Sequence, residues 1–248
     1  MFSMVEIEIN SKCNRSCWYC PNSIGERKEQ GEMDESLFRT LMEQLRSVNF
    51  SGRISYHFYG EPLLCSNIEL FVSLSKEYCP HSRSIVYTNG DYLDLGKLER
   101  LSNLGMDKFI VTQHVGPKHK FGEVYKRAPK HLKEKIEYLD SSDLNLSNRG
   151  GILTKIENKV DPKVTPCMVP SSLVVVTLKG NVMPCFEDFY QKYPMGNIKD
   201  SHIMDIWNSK KFTEFREDLR KGNRYKYEIC KNCNNTSVMK EEQYDYVL

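Results

Sequence analysis

Hydrophobic and polar residues alternate at the start of the chain, where the run MVEIEIN begins at Met4. A period of two is typical of a β-strand that is buried on one face. Apolar runs of similar length predict four further strands, at residues 53–58, 84–88, 108–112 and 144–147. Apolar residues three and four positions apart predict helices that begin near residues 34, 67 and 95. Strands that alternate with helices in this way predict a parallel sheet of the α/β class.

The pattern changes in the last hundred or so residues. Residues 152–166 are polar and contain proline, which predicts a linker. Two apolar runs around a Gly-Asn turn predict a β-hairpin within residues 172–185, and helical spacing predicts one long helix over residues 202–221. We therefore expect an α/β domain over residues 1–151 and a small hairpin-plus-helix domain over residues 152–248.

The composition excludes several classes of protein. The chain has 248 residues, of which 40% are hydrophobic and 27% charged, with a formal net charge of +2. This charge is too small to indicate a nucleic acid or membrane partner. No apolar run approaches the roughly 20 residues that a membrane span needs, and no signal-peptide pattern opens the chain. We expect a cytoplasmic location, where thiols stay reduced, so the nine cysteines indicate metal or cluster ligands.

Three cysteines stand in the loop that follows the first predicted strand. Cys13, Cys17 and Cys20 have the spacing CxxxCxxC. Three thiolates on one short loop can hold three corners of a cubane iron–sulfur cluster, which normally takes four cysteines. The fourth iron is then open to an outside ligand. A zinc knuckle is the alternative, but it needs four protein ligands, and no further cysteine or histidine follows locally.

Four more cysteines lie in the C-terminal part of the chain. Cys167 and Cys185 flank the predicted hairpin, and the CxxC pair Cys230 and Cys233 follows the last predicted helix. Four cysteines can fully ligate a second cubane cluster. A structural zinc site with four thiolates is the alternative that this spacing leaves open. The two remaining cysteines are expected to be small buried hydrophobic residues.

The CxxxCxxC spacing is the signature of the radical S-adenosylmethionine (radical SAM) enzymes, which this chain resembles. The tripeptide Gly60-Glu61-Pro62, at the end of the second predicted strand, strengthens the resemblance. It implies a partial parallel (β/α) barrel in which SAM occupies the open iron and its ammonium meets Gly60 and Glu61. A carboxylate that faces an ammonium forms a charge-assisted pair. The C-terminal cysteines resemble a twitch domain, a short auxiliary-cluster appendage, so two 4Fe-4S clusters are expected.

Polar residues stand where other predicted strands end. Asn89, Gln113 and Asn148 each follow an apolar run. Because the carboxyl ends of parallel strands meet at one rim, these side chains can hydrogen-bond the ribose, carboxylate and adenine of SAM. Each is equally typical of a strand cap or turn, and that alternative stays open. Trp18 and Tyr19, between the ligand cysteines, resemble the aromatic position that flanks adenine in radical SAM enzymes.

Over nearly its whole length the chain resembles the radical SAM dehydrogenases that oxidise aminocyclitols in aminoglycoside antibiotic biosynthesis. The cluster loop, the tail from residue 230 and four internal segments carry this match: residues 54–64, 109–114, 147–153 and 184–188. The resemblance implies that SAM is cleaved to methionine and a 5′-deoxyadenosyl radical, which removes hydrogen from a hydroxyl-bearing carbon. The second cluster would accept the remaining electron, and an external donor such as flavodoxin or ferredoxin would reduce the first.

The same resemblance implies contacts with the aminocyclitol substrate for Tyr59, Tyr87, Arg149, Phe186 and Glu187. Glu187 would pair with the substrate ammonium, and Arg149 would hydrogen-bond the reacting oxygen, which makes these two the candidate catalytic residues. The high pKa of an arginine makes it a poor neutral base, so the proton acceptor stays open. The chain lacks the GxGxxG pattern of a nicotinamide-dependent dehydrogenase.

Three other functions compete with this interpretation. An aminoglycoside epimerase of the radical SAM type needs a thiol that returns a hydrogen atom, and Cys65 is the spare thiol nearest the predicted rim. A peptide-modifying radical SAM enzyme is disfavoured because no peptide-recognition domain precedes the cluster loop. A zinc-stabilised module without catalysis is the alternative from another class.

Overall fold

The chain folds around a mixed sheet of eight strands in the computed structural model, which describes residues 1–116 and 120–235. The strands are β1 Met4–Ile7, β2 Arg53–Ser55, β3 Arg83–Thr88, β4 Lys108–Gln113, β5 Ile136–Asp140, β6 Leu173–Val176, β7 Asn181–Met183 and β8 Gly196–Asn197. Their spatial order is β5-β4-β3-β2-β1-β6-β7-β8. All neighbours from β5 to β6 in this order pair parallel, whereas β6, β7 and β8 pair antiparallel. The predicted α/β class and the predicted hairpin are both confirmed.

In the described part of the chain, six α-helices lie between consecutive strands from β1 to β6 and three follow β8, and helix residues pack with β1 in one core. They are α1 Glu35–Ser47, α2 Ile68–Tyr78, α3 Leu95–Asn103, α4 Phe121–Arg127, α5 Lys130–Lys133, α6 Val169–Ser172, α7 Ile203–Asn208, α8 Lys210–Arg220 and α9 Glu228–Lys231. Stacked rings of Phe38 and Phe71, 4.1 Å between centroids, join α1 to α2. Within the described ranges, no helix is long and apolar enough to cross a membrane.

Strand β1 connects the two predicted domains, since it pairs with β2 on one side and with β6 on the other. Its alternation gives it two different faces. Val5 and Ile7 belong to the core beneath the helices, whereas Met4 packs in a second apolar cluster together with Phe189. Glu6 shares the face of Met4, so a charged residue from this strand points away from the helices.

Two predicted elements are wrong. Residues 144–147 form no strand, and the last strand within residues 1–151 is instead β5. β5 is an edge strand with only partly buried side chains, so its sequence lacks a buried strand's apolar run. The predicted helix over residues 202–221 is interrupted at Ser209, which has extended backbone angles and whose hydroxyl caps α8 by accepting the Phe212 amide at 3.2 Å. The apolar periodicity continues across this capping residue, so periodicity alone does not show that one helix ends there and another begins.

The predicted linker over residues 152–166 contains no helix or strand and passes from the rim of the sheet to α6. Of the tail that carries part of the family resemblance, residues 236–248 lie outside the described residues.

Candidate active site

The cluster loop, residues 11–20, begins shortly after β1 and is fixed to the neighbouring strand ends. The Asn10 amide donates to the backbone oxygen of Glu61 at 2.9 Å. Arg15 forms a bidentate ion pair with Asp91, with both N–O distances 2.7 Å. A bidentate guanidinium–carboxylate pair fixes orientation as well as distance. These contacts hold the loop over the carboxyl ends of β2 and β3.

The three cysteines of this loop, Cys13, Cys17 and Cys20, all line one cavity of about 540 Å³. Burial and the nearby charges of Glu61, Cys20 and Cys17 raise the pKa of the Cys13 thiol to about 11. Three ionised thiolates on one short loop repel one another, so they need a cationic group between them. The donor set and the adjacent open space therefore fit a cluster with one open iron.

Glu61 is held with its carboxylate at the rim of the same cavity. Its Oε1 accepts hydrogen bonds from the Thr88 hydroxyl at 2.6 Å and the Leu63 backbone amide at 3.0 Å. Its Oε2 accepts from the Asn89 backbone amide at 2.8 Å. Gly60 is required beside it, because a Cβ there would stand 2.0 Å from the Asn10 oxygen. The motif thus combines a close backbone approach with an oriented carboxylate.

The four C-terminal cysteines come together behind the cavity wall and do not line the cavity. Burial raises the pKa of Cys185, and the charges of Glu187, Cys167 and Cys233 raise it further. Burial and the charges of Cys167 and Cys233 also raise the pKa of Cys230. Thiols that influence one another in this pairwise way lie close together in space, although the chain separates them by many residues.

A buried arginine joins the two backbone segments that bring these cysteines together. The Arg224 side chain is 1% exposed and donates to the oxygens of Thr165 and Pro166, both at 2.9 Å. It also donates to the oxygen of Cys233 at 3.4 Å. The guanidinium therefore fixes the segment before Cys167 against the segment that ends in Cys233.

Neither cysteine group has the geometry of a site for a single ion. In the described part of the chain, no three side chains of His, Cys, Asp or Glu converge closely enough to hold one metal ion. A tetrahedral zinc site, with zinc–sulfur bonds of ~2.3 Å, would bring its thiolates to within about 4 Å of one another. The four C-terminal thiols are a full ligand set for a cubane cluster, and the three thiols of the loop are such a set with one position left open.

The cavity lies between the two cysteine groups, and many predicted site residues line it. These are Tyr19, Tyr59, Gly60, Glu61, Tyr87, Asn89, Arg149 and Phe186. The Tyr59 hydroxyl donates to the Phe186 oxygen at 2.6 Å, and the Arg149 guanidinium lies 5.7 Å from the Tyr59 ring centroid. Residues from β3 and from the segments that follow β2 and β7 therefore meet in one pocket.

Four of the predicted SAM or substrate contacts lie outside the cavity wall. Trp18 is 50% exposed and packs edge-on against Tyr19. Gln113 is exposed and accepts the Tyr138 hydroxyl at 3.0 Å. Asn148 is buried and donates to the Asn232 oxygen at 2.7 Å, so it anchors the segment beside Cys233.

Glu187, the fourth of these residues, is 3% exposed directly behind the wall. Its Oε1 accepts the Ser147 hydroxyl at 2.8 Å and lies 3.8 Å from the Arg149 guanidinium. Its Oε2 has no protein hydrogen-bond partner among the described residues.

Among the polar residues that line the cavity, sequence reasoning missed a charged cluster, Glu6, Arg53 and His57. Arg53 bridges Glu6 at 3.4 Å and the Tyr87 hydroxyl at 3.2 Å. The His57 ring packs on the Tyr87 ring with centroids 4.3 Å apart. The available signal was a charged residue on the buried face of the first strand, because such a residue rarely stands in a core without a partner.

The pKa of Glu6 predicts how stability depends on pH. Burial raises this pKa to about 7, against the lowering effect of Arg53. The folded state therefore retains a proton that the unfolded chain loses near pH 4.5, so the stability contribution of Glu6 is full below pH 4.5 and is lost as pH rises through about 7. Between these two pH values, we expect the free energy of unfolding of the wild type to fall by about 3 kcal/mol relative to that of Glu6→Gln. That is a melting-temperature difference of roughly 5–10 °C, and parallel pH curves for the two proteins would contradict it.

Comparison with known proteins agrees with this geometry. The profile of the radical SAM superfamily matches residues 7–153, and that of SPASM, an iron-sulfur cluster-binding domain, matches residues 167–234. The two matches confirm the predicted iron–sulfur clusters and SAM as cofactors. They leave no support for a zinc module.

Full-length similarity extends to proteins with known chemistry. The chain is 61% identical to the S-adenosyl-L-methionine-dependent 2-deoxy-scyllo-inosamine dehydrogenase of Niallia circulans, over 100% of this chain and 99% of that one. The crystal structure of BtrN in complex with AdoMet and 2-DOIA superposes with a TM-score of 0.95 at 60% identity, covering 99% and 98% of the two chains. BtrN in an open conformation gives a TM-score of 0.81 at 52% identity over the same shares. The chain therefore belongs to the radical SAM superfamily and is an oxidoreductase of the radical SAM type.

Proposed function

We propose that this enzyme oxidises a secondary alcohol of an aminocyclitol, converting 2-deoxy-scyllo-inosamine to 3-amino-2,3-dideoxy-scyllo-inosose. The observation that carries the proposal is one cavity lined by Cys13, Cys17 and Cys20 and bounded on its other side by Phe186, next to Cys185. Such a cavity places a small polyol between the two predicted clusters. The full-length similarity to an enzyme named for this substrate supports the same assignment.

When bound, SAM and the two clusters supply hydrogen-atom abstraction and one-electron oxidation. The chain's own residues position the reactants. Glu61 receives the ammonium of SAM, and its three hydrogen bonds keep the carboxylate from rotating. Asn89 and Tyr19 lie on the same wall and contact the rest of the nucleoside.

Glu187 and Arg149 bind the substrate in this proposal. The orphan Oε2 of Glu187 is a buried acceptor, and leaving it without a donor costs about 1–3 kcal/mol. In this proposal the substrate ammonium supplies that donor, for which Glu187 must turn its Oε2 from behind the wall into the cavity. Arg149 lines the cavity and stabilises negative charge that develops on the reacting oxygen.

The position of Cys65 disfavours the epimerase. An epimerase needs a thiol at the substrate, but Cys65 is 3% exposed and its sulfur lies 3.6 Å from the Glu32 carboxylate, outside the cavity wall. Among the described residues, the cysteines on that wall are the three of the cluster loop. A substrate radical in this cavity therefore lacks a spare thiol as hydrogen donor.

An external one-electron donor such as flavodoxin or ferredoxin and a cytoplasmic location belong to the same proposal. All nine cysteines are free thiols in the structure, which suits a reducing compartment. The cluster that Cys13, Cys17 and Cys20 would hold would supply an electron to SAM, and a protein donor would be its source of electrons in the cell.

Anaerobic turnover of the reconstituted protein tests the proposal. With SAM, dithionite and 2-deoxy-scyllo-inosamine, we expect a product lighter by two hydrogen atoms and an equal amount of 5′-deoxyadenosine. Cys65→Ala should turn over like the wild type. An isomer of unchanged mass, or loss of turnover in Cys65→Ala, would favour the epimerase. 5′-Deoxyadenosine without substrate oxidation would overturn the substrate assignment.

A further inference from the structure

Three polar side chains from β1, from β2 and from the segment just after β2 line the cavity. The proposed catalytic roles do not use them. Glu6 and Arg53 have side chains 6% and 7% exposed, and the side chain of His57 is 20% exposed. All three line the cavity, so this remaining exposure faces the substrate space. A buried charged cluster is costly unless its hydrogen-bonding capacity is used.

That capacity is only partly used within the protein. Glu6 Oε2, Arg53 Nε and His57 Nδ1 are buried and have no hydrogen-bond partner among the described residues. The Nε2 of His57 lies 3.9 Å from Glu6 Oε1, which is too far for a direct hydrogen bond. Two atoms at that separation can both lie about 2.8 Å from one oxygen placed between them.

From this geometry we infer that Glu6, Arg53 and His57 form a hydroxyl-binding subsite that selects polyhydroxylated rings. The inference rests on the proposed function and deepens it. One ring hydroxyl donates to Glu6 Oε1 and accepts from the His57 Nε2–H, while the unused acceptor of this carboxylate is its Oε2. The Arg53 guanidinium lies 3.4 Å from this carboxylate, so a ring hydroxyl needs to bring no further positive charge there. The substrate ammonium is left to the orphan oxygen of Glu187.

Two neighbouring features keep the subsite rigid. The Tyr87 ring packs on His57 and its hydroxyl accepts from Arg53 at 3.2 Å, so one aromatic residue positions both partners. Burial and the charges of Arg53 and Arg149 lower the pKa of His57 to about 3, which keeps the imidazole neutral. A neutral imidazole with one N–H is suited to a hydroxyl, since it does not attract an anion.

The test is equilibrium binding by calorimetry at about pH 8.5, where Glu6 is ionised, with reconstituted protein, SAM and no reductant, so that no turnover is needed. The two ligands are 2-deoxy-scyllo-inosamine and an aminocyclohexanol that keeps the amine and one hydroxyl but lacks the other hydroxyls. We expect Glu6→Gln to weaken binding of the full substrate about 10- to 100-fold, as for a hydrogen bond to a charged group. His57→Phe, which keeps the ring packing, should weaken it about 5- to 10-fold. Both variants should change affinity for the aminocyclohexanol less than about twofold.

Ser55→Ala is the matched control. Ser55 pairs with Glu6 in the sheet register and has an unpartnered buried hydroxyl, but it lies outside the cavity wall. It should leave both affinities unchanged. Equal losses on both ligands, or no loss in either cavity variant, would overturn the subsite while the proposed function stands. Failure of the wild type to bind the aminocyclitol would overturn both.

Discussion

Replacing Cys17 with alanine is expected to abolish SAM cleavage and substrate oxidation together. The cluster loop offers three thiolates, and a cluster that already has one open iron loses its hold when a second ligand is missing. Iron content should fall to about half, because the C-terminal cysteines still bind their cluster. The measurements are 5′-deoxyadenosine formation and iron and sulfide content after anaerobic reconstitution.

Cys79→Ala is the control for this result. Cys79 ends α2 and is 2% exposed, so the substitution removes a buried thiol of the same kind away from either cysteine group. It should retain the iron content and the activity of the wild type. Wild-type rates of SAM cleavage in Cys17→Ala would contradict the assignment of the loop as the SAM-binding site.

Replacing Cys230 with alanine should separate the two half-reactions. The first cysteine group is unchanged in this variant, so SAM cleavage continues. Substrate oxidation should fall to background, because the substrate radical loses the electron acceptor held by Cys167, Cys185, Cys230 and Cys233. The ratio of 5′-deoxyadenosine to ketone, near unity in the wild type, should rise by at least about tenfold.

Lys231→Ala supplies the control in the same turn of helix. Lys231 is exposed, and only its backbone takes part in hydrogen bonds within the described residues. The ratio should stay near unity in this variant. A ratio near unity in Cys230→Ala at normal rates would show that the second cysteine group is not needed for oxidation.

Local sequence signals predicted much of the molecule. Helix α2 begins within one residue of its predicted start and ends where the periodicity ends, because burial of one apolar stripe determines both the pattern and the helix. The hairpin of β6 and β7 follows in the same way from two apolar runs around a turn. The CxxxCxxC spacing predicted an iron–sulfur cluster, whereas the C-terminal spacing also allowed zinc and only the family resemblance implied a second cluster.

Prediction failed where an element's environment differs from the usual one. β5 lies at the sheet edge and carries Glu137 and Tyr138, so no apolar run marks it. Of the residues mistaken for a strand, 144–146 instead line the cavity, which accounts for apolar side chains outside the sheet. At Ser209 the periodicity of two helices is continuous, and only the hydroxyl cap shows the break.

The sequence by itself predicted the cofactor chemistry and showed which strands are followed by polar residues. Tertiary structure alone decided which polar ends share the cavity: Asn89 lines it, whereas Gln113 and Asn148 bind elsewhere. It also brought together Glu6, Arg53 and His57, which lie up to about fifty positions apart in sequence. Periodicity and spacing report on a residue's own strand or helix, whereas the register between strands and the path of each loop set the distances between side chains.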